Sequence, residues 1–209
     1  MTSYANFIQE FPRRCRDILV AYEEDAKGKD REVTLLVTVA TSAFTIPFER
    51  LNPSSPNHIA DDRYPEAVSA LGRLQNRDFA DWQAGRSWRI IEGLDGGYIR
   101  TTQADAWAGQ GKWQPIPTSK KVGSILSILR NALAHGSIFT FPRPISREKP
   151  IEIEVIIFLS RLRDENTGQL VDKYNAVKVS SADFRALILD WISFLESLQL
   201  PSAIMQENI

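Results

Sequence analysis

Ser127-Ile128-Leu129-Arg130-Asn131-Ala132-Leu133-Ala134-His135-Gly136 sets an arginine, an amide and a histidine into the end of an otherwise apolar segment. Upstream of it, Val122, Ile125 and Leu126 join Leu129 and Leu133 at helical spacing, which predicts one buried stripe. Thr118 or Ser119, after Pro117, is the expected N-cap. Gly136 suits a left-handed C-terminal cap, so His135 falls in the last turn. Asn131 and His135 are four apart and share a face, whereas Arg130 points off to one side at the same end. This reading makes a helix the scaffold of whatever chemistry the chain carries.

Those three side chains permit phosphodiester chemistry. Arg130 is permanently charged and can fork two donors onto a phosphate. Histidine titrates near neutral pH and serves as general acid or base, which is the role open to His135. Asn131 can orient an imidazole or donate to a phosphate oxygen. One helix cannot bring Arg130 and His135 face to face, but two copies about a two-fold axis can present them across a shared cleft. The plain alternative is that an arginine and a histidine near a helix C-terminus cap carbonyls and complement the dipole. On spacing alone that alternative is favoured.

The full string Arg130-Asn-Ala-Leu-Ala-His135-Gly resembles the signature of the HEPN superfamily, in which an arginine followed by a polar residue and then four more positions leads to a histidine near a helix end. Arg130, Asn131 and His135 match that pattern position by position. The run beginning Arg31-Glu-Val-Thr-Leu-Leu and ending Ile46-Pro-Phe-Glu-Arg-Leu51 is similar to a bacterial or plasmid-borne branch of the superfamily. The resemblance implies a helical bundle that dimerises through its motif helices. It also implies a metal-independent endoribonuclease with Arg130, Asn131 and His135 at the site, needing no cofactor and taking RNA as substrate. Cleavage would use the ribose 2′-hydroxyl as nucleophile, so DNA would not be cut by this route. Several members are toxins or act in phage defence, which brings in a cognate antitoxin as a partner to look for. Others are non-catalytic and bind nucleotides or proteins. That, or a structural dimerisation domain, is the alternative reading here.

Composition sets broader bounds. The 209 residues allow one domain with a substantial core, and 43% hydrophobic with 24% charged residues is ordinary for a globular chain. A net charge of -1 gives no global attraction to nucleic acid, so any RNA contact must be local. Cys15 is the single cysteine, which excludes an intrachain disulfide and a cysteine-based zinc site and fits a reducing cytoplasm. The N-terminal Met-Thr-Ser-Tyr lacks the pattern of a signal peptide, and no stretch reaches about 18 consecutive apolar residues, so no membrane partner is expected.

Along the chain, residues 4–27 read as a helix, either continuous or broken at Pro12, with Arg13, Arg14 and Arg16 on its solvated side. Asp30 is the expected cap of a second helix over 31–51, apolar nearly all round and therefore central, with Pro47 kinking or ending it. His58 lies in a Pro- and Ser-rich loop, where a solvent-exposed histidine is the ordinary reading and a second base the sharper one. Pro65 opens a helix to about Arg77.

Residues 79–117 change character: four of the five tryptophans fall between Trp82 and Trp113. They are read as an irregular insertion, with short strands around a turn at Asp95-Gly-Gly97. Its tryptophans either stack on RNA bases or fill a small satellite core, and the core is favoured. Arg143 and Arg147, just beyond the motif, are candidates for a substrate-binding rim. Lys120 and Lys121 lie at the far end of the motif helix and are not. Residues 151–163 and 170–179 read as a β-hairpin about the turn Asp164-Glu-Asn-Thr-Gly168. Glu152 and Glu154 on its first strand are solvated carboxylates or, less simply, a metal pair. Ser180 with Asp183 resembles a capping box ahead of the last amphipathic helix, which Pro201 stops. The sum is a mainly α, HEPN-like bundle of about four to five main helices. It forms a single domain over 1–209, with the insertion at 79–117 and the hairpin at 151–179 before the C-terminal helix.

Overall fold

The computed structural model describes residues 7–52, 65–102, 106, 112–142, 153–164 and 166–198. The chain divides into two compact units. The first is Met1–Asn76 with Ala186–Ile209, and the second is Arg77–Arg185.

The first unit is helical. Helix α1 (Phe7–Gly28) runs unbroken through Pro12, which stands close enough to the N-terminus to interrupt only the early amide ladder. It turns into α2 (Glu32–Ala40) through Asp30, whose φ of 55° is left-handed. Asp30 therefore makes the turn, and Arg31 takes the N-cap position expected of Asp30. The helical path continues through a π-helical turn, Thr41–Thr45, into α3 (Ile46–Leu51). The proline explains this wide turn. Pro47 has no N–H to give Ala43 and its ring crowds that carbonyl, so the ladder opens locally. The abandoned carbonyl is not left bare: the Trp191 indole N–H donates to Ala43 O at 3.0 Å. Trp191 stands in the helix α8 (Ser181–Ser197) and packs edge-on to Phe44 with ring centroids 4.9 Å apart. The Gln9 amide of α1 donates to Leu195 O at 2.9 Å, closing the end of α8, and Arg16 pairs with Glu196 at 2.6 Å. Helix α4 (Pro65–Gln75) buries Ala67, Leu71 and Leu74.

Glu32–Leu51 is long and apolar enough to cross a membrane by length and composition alone, at a mean hydropathy of 1.2. Its Ala40, Ala43, Phe44, Phe48 and Leu51 are all buried, and both phenyl rings lie against Trp191. That packing is what a central core helix requires. The hydroxyls of Thr38 and Thr41 bond back to Thr34 O and Val37 O at 2.8 Å, satisfying polar groups within the helix itself.

The second unit is built on a sheet, and here the expected mainly α bundle is corrected. Helix accounts for 59% and strand for 23% of the described structure, and the strands form one five-stranded antiparallel sheet of order β2-β1-β5-β4-β3. The fold is α+β. The strands are β1 (Arg89–Asp95), β2 (Gln114–Pro115), β3 (Ile138–Pro142), β4 (Ile153–Arg163) and β5 (Leu170–Ser180). The hairpin β4–β5 forms as expected, but it is the centre of a sheet rather than an appendage. β1 and β2, from the supposed irregular insertion, extend one side, and β3, directly after the motif segment, closes the other.

The turn expected at Asp95-Gly-Gly97 is instead the start of helix α6 (Gly96–Thr101), with the Asp95 carboxylate capping the Tyr98 N–H at 2.9 Å. Gly96 lets the Asp172 carboxylate of β5 lie where a Cβ would stand, so a larger residue there would have to displace that side chain. Strand alternation gives the sheet two faces. Leu94, Trp113, Ile157, Leu159 and Ala176 form a buried cluster on one. Ile156, Phe158 and Ser160 point to the other, where the helix α7 (Val122–His135) packs on β4 and β5. Trp88 and Trp113 are both buried, so these two tryptophans belong to packing. A short helix, α5 (Phe79–Trp82), sets Phe79 edge-on to Trp88 with centroids 5.2 Å apart.

Candidate active site

Helix α7 carries the motif, and its apolar pattern is what holds it. Val122, Ile125, Leu126, Ile128, Leu129, Ala132 and Leu133 are all buried. Its start differs from expectation. Neither Thr118 nor Ser119 caps it: Lys121 occupies the N-cap, without a side-chain cap, and the Val122 N–H donates to Arg77 O at 2.9 Å. A backbone carbonyl from a distant segment thus takes the place of a local hydroxyl. Lys121 pairs with Asp78 at 2.7 Å and Lys120 with Glu92, at the opposite end of α7 from the motif.

The C-terminal end is fixed as the sequence predicts and then further. Gly136 adopts φ 66°, and the Ser137 N–H returns to Ala132 O at 2.9 Å. Two bonds then tie this end to adjacent positions of β4. Ser137 O accepts from Leu159 N at 2.9 Å, and Asn131 Nδ2 donates to Ser160 Oγ at 2.9 Å. Ser160 is only 6% exposed, so its hydroxyl depends on a protein partner. The sequence reading missed Ser160 because it completes a run of apolar strand residues and looks like another core position. A lone hydroxyl at the end of that run was the available signal.

His135 is exposed at the end of α7, together with Ala134 and Gly136. Arg130 and Asn131 are half-buried. Helical geometry sets Asn131 and His135 about 40° apart and Arg130 and His135 about 140° apart. The structure therefore gathers all three at one helix end, with Asn131 turned to the sheet, His135 open to solvent and Arg130 to the side. By that angle alone, the Arg130 and His135 side chains leave the helix in different directions in a single copy.

Arg143 and Arg147 lie outside the described residues, as do His58 and Glu152. Among the described residues, no three His, Cys, Asp or Glu side chains are grouped so that they could hold a metal ion. Arg161 and Arg163 follow Ser160 on β4 and are exposed, but Arg161 pairs with Tyr174 and so stands on the sheet face opposite α7.

A sequence profile of the family described as HEPN pEK499 p136 matches residues 1–201. Neither a curated protein nor a solved structure matches the chain. The profile spans both units, so it takes in the sheet as well as the helices. The chain therefore belongs to this HEPN-type family from a plasmid-associated protein, and with it to a group of nuclease or nucleotide-binding modules.

Proposed function

We propose that the chain is a metal-independent endoribonuclease whose site is the end of α7, with Arg130, Asn131 and His135 as its working residues. The observation that carries the reading is the exposed His135 on a helix end anchored to β4 through Asn131–Ser160 and Ser137–Leu159. An accessible imidazole on a rigid support is what proton transfer at a bound substrate needs.

In the proposed reaction the ribose 2′-oxygen attacks the adjacent phosphorus and the 5′-oxygen of the next nucleotide leaves. The bond formed is 2′-O–P, the bond broken is P–5′-O, and the products are a 2′,3′-cyclic phosphate and a 5′-hydroxyl. His135 transfers protons, taking one from the 2′-hydroxyl or giving one to the leaving 5′-oxygen. Arg130 neutralises the charge that builds on the non-bridging oxygens. Asn131 holds the helix end in register with β4. Because Arg130 and His135 diverge within one copy, the reading requires a homodimer that pairs the α7 ends about a two-fold axis, each cleft taking Arg130 from one copy and His135 from the other. A toxin or phage-defence setting, with a cognate antitoxin, is the context the family resemblance favours, and the cytoplasm its compartment.

The test is a labelled RNA incubated in chelator with wild type, His135→Ala and Arg130→Ala. Cleavage by wild type with at least a hundredfold loss in His135→Ala is expected. Equal cleavage by wild type and His135→Ala removes His135 from the mechanism. Nucleotide binding without cleavage by any of the three favours the non-catalytic module. Loss of dimer stability alone in His135→Ala favours a structural role.

A further inference from the structure

Arg89 and Lys178 face each other across two neighbouring strands. Lys178 of β5 is the register partner of Arg89 of β1 on one side and of Ile157 of β4 on the other. Ile157 belongs to the buried cluster on the sheet face turned away from α7, so both cations stand on that face. Directly opposed residues of an antiparallel pair have Cβ atoms about 5 Å apart, and like charges in that position repel. We propose that Arg89 and Lys178 form a phosphate-binding site on this face, taking the phosphate of a nucleotide, free or within a strand. The end of α7 takes no part in it, since α7 packs on the opposite face.

Packing explains one of the two cations and not the other. The Lys178 Nζ lies over the Trp113 ring, 4.8 Å from its centroid, so a half-buried lysine has a reason to be there. Burial pushes its ammonium below the ordinary lysine value, and the charge of Arg89 pushes the same way. Arg89 is exposed, and one terminal nitrogen reaches Trp113 O at 3.5 Å, the outer limit of a hydrogen bond. Among the described residues Arg89 makes no ion pair. Most of its N–H donors therefore remain open. Carboxylates on the adjoining segments are committed elsewhere. Glu92 pairs with Lys120, Asp172 with Arg100, and Asp183 accepts from the Ser87 N–H at 3.1 Å.

A guanidinium that can fork onto two oxygens, beside an ammonium held in place by a ring, is a pincer for a tetrahedral anion. An anion between them turns mutual repulsion into attraction to a common partner. Trp113 is 6% exposed, so it supports the ammonium and offers no open surface on which a base could stack. The site thus reads the phosphate and not the base.

The experiment uses the full chain and two probes. One is AMP. The other is a labelled 2′-O-methyl strand of about ten nucleotides without terminal phosphates, whose blocked 2′-oxygens cannot attack phosphorus. Affinity is expected to fall at least about tenfold in Arg89→Gln and in Lys178→Gln, the loss of one charge-assisted bond. For the strand, the slope of log affinity against log salt should fall by about 0.7, one phosphate contact. Arg89→Lys keeps the charge and should recover most of the lost affinity, which separates charge loss from damage to β1. Arg161→Gln removes one positive charge from the same face, at the Tyr174 register, and should leave AMP affinity unchanged. Loss of AMP binding alone assigns the site to a free nucleotide, loss of strand binding alone to a backbone phosphate, and loss of both to either source. Wild type that binds neither probe overturns the site. So does Arg89→Gln binding both as wild type does, or Arg161→Gln weakening AMP as much as Arg89→Gln.

Discussion

Replacing Trp191 by phenylalanine should expose how the central helix tolerates its proline. Trp191 and Ala43 are both fully buried, and the indole N–H reaches Ala43 O at 3.0 Å. Phenylalanine keeps a ring against Phe44 and Phe48 but has no donor. A buried carbonyl without a partner costs about 1–3 kcal/mol, and the smaller ring adds a cavity term of about 1 kcal/mol. Trp191→Phe should therefore cost about 2–4 kcal/mol. The informative arm is Pro47→Ala. An alanine at 47 regains the N–H that an α-helix would point at Ala43 O, so the carbonyl no longer depends on the indole. In that background Trp191→Phe should lose only its cavity term, giving a coupling of about 1–3 kcal/mol, the cost of the unpartnered carbonyl. Urea unfolding of the four full-length proteins, followed by far-UV circular dichroism, measures it. If Trp191→Phe costs the same in both backgrounds to within about 0.3 kcal/mol, the indole is not standing in for the missing amide and the explanation of the π-helical turn is wrong.

Asn131→Ala leaves the Ser160 hydroxyl buried without its donor and should destabilise the second unit by about 1–3 kcal/mol. If Asn131 acts by anchoring α7, Ser160→Ala should lower RNA cleavage in parallel, and full activity in Ser160→Ala would return Asn131 to a direct role. Gly136→Ala meets no atom within 4 Å, so its cost should be the left-handed backbone alone, about 1–2 kcal/mol in thermal unfolding. A much larger loss would mean that Gly136 is crowded. Bonds from the Thr167 amide and hydroxyl and from the Asn166 amide hold the Asp164 carboxyl below its usual value. A lowered carboxyl stabilises the fold above its unfolded pKa of about 4 and loses that contribution as pH falls through the lower folded value. Asp164→Asn should therefore flatten the acid limb of the unfolding curve and weaken the hairpin turn at neutral pH; an unchanged acid limb would count against the turn bonds.

What the sequence disclosed divides along local and distant determinants. Helix α7 was readable because Val122 to Leu133 repeat on one face and Gly136 ends it. The β4–β5 hairpin was readable because Asp164 to Gly168 is a self-contained turn. The cap of α8 was half readable: Ser180 does accept from Asp183 N at 3.0 Å, but the Asp183 carboxylate accepts from Ser87 N instead of returning to Ser180. The full sheet was not readable. Ile90 pairs with Val177, far away in sequence, and no residue near Ile90 announces that partner. Gly96-Gly97 misled because paired glycines usually signal a turn; here the first meets Asp172, a contact only the fold creates. For the site, the motif supplied Arg130, Asn131 and His135. Ser160 emerges only once β4 is laid against α7.

The most direct measurement compares two oligonucleotides that differ by one atom. Wild type in chelator is given an all-ribose RNA and the same strand with a single 2′-deoxy nucleotide on the 5′ side of the cleaved bond. Attack by the 2′-oxygen predicts cleavage of the first to a cyclic phosphate and an intact bond in the second. Equal cleavage of both, or a product ending in a 3′-hydroxyl, would contradict the proposed reaction.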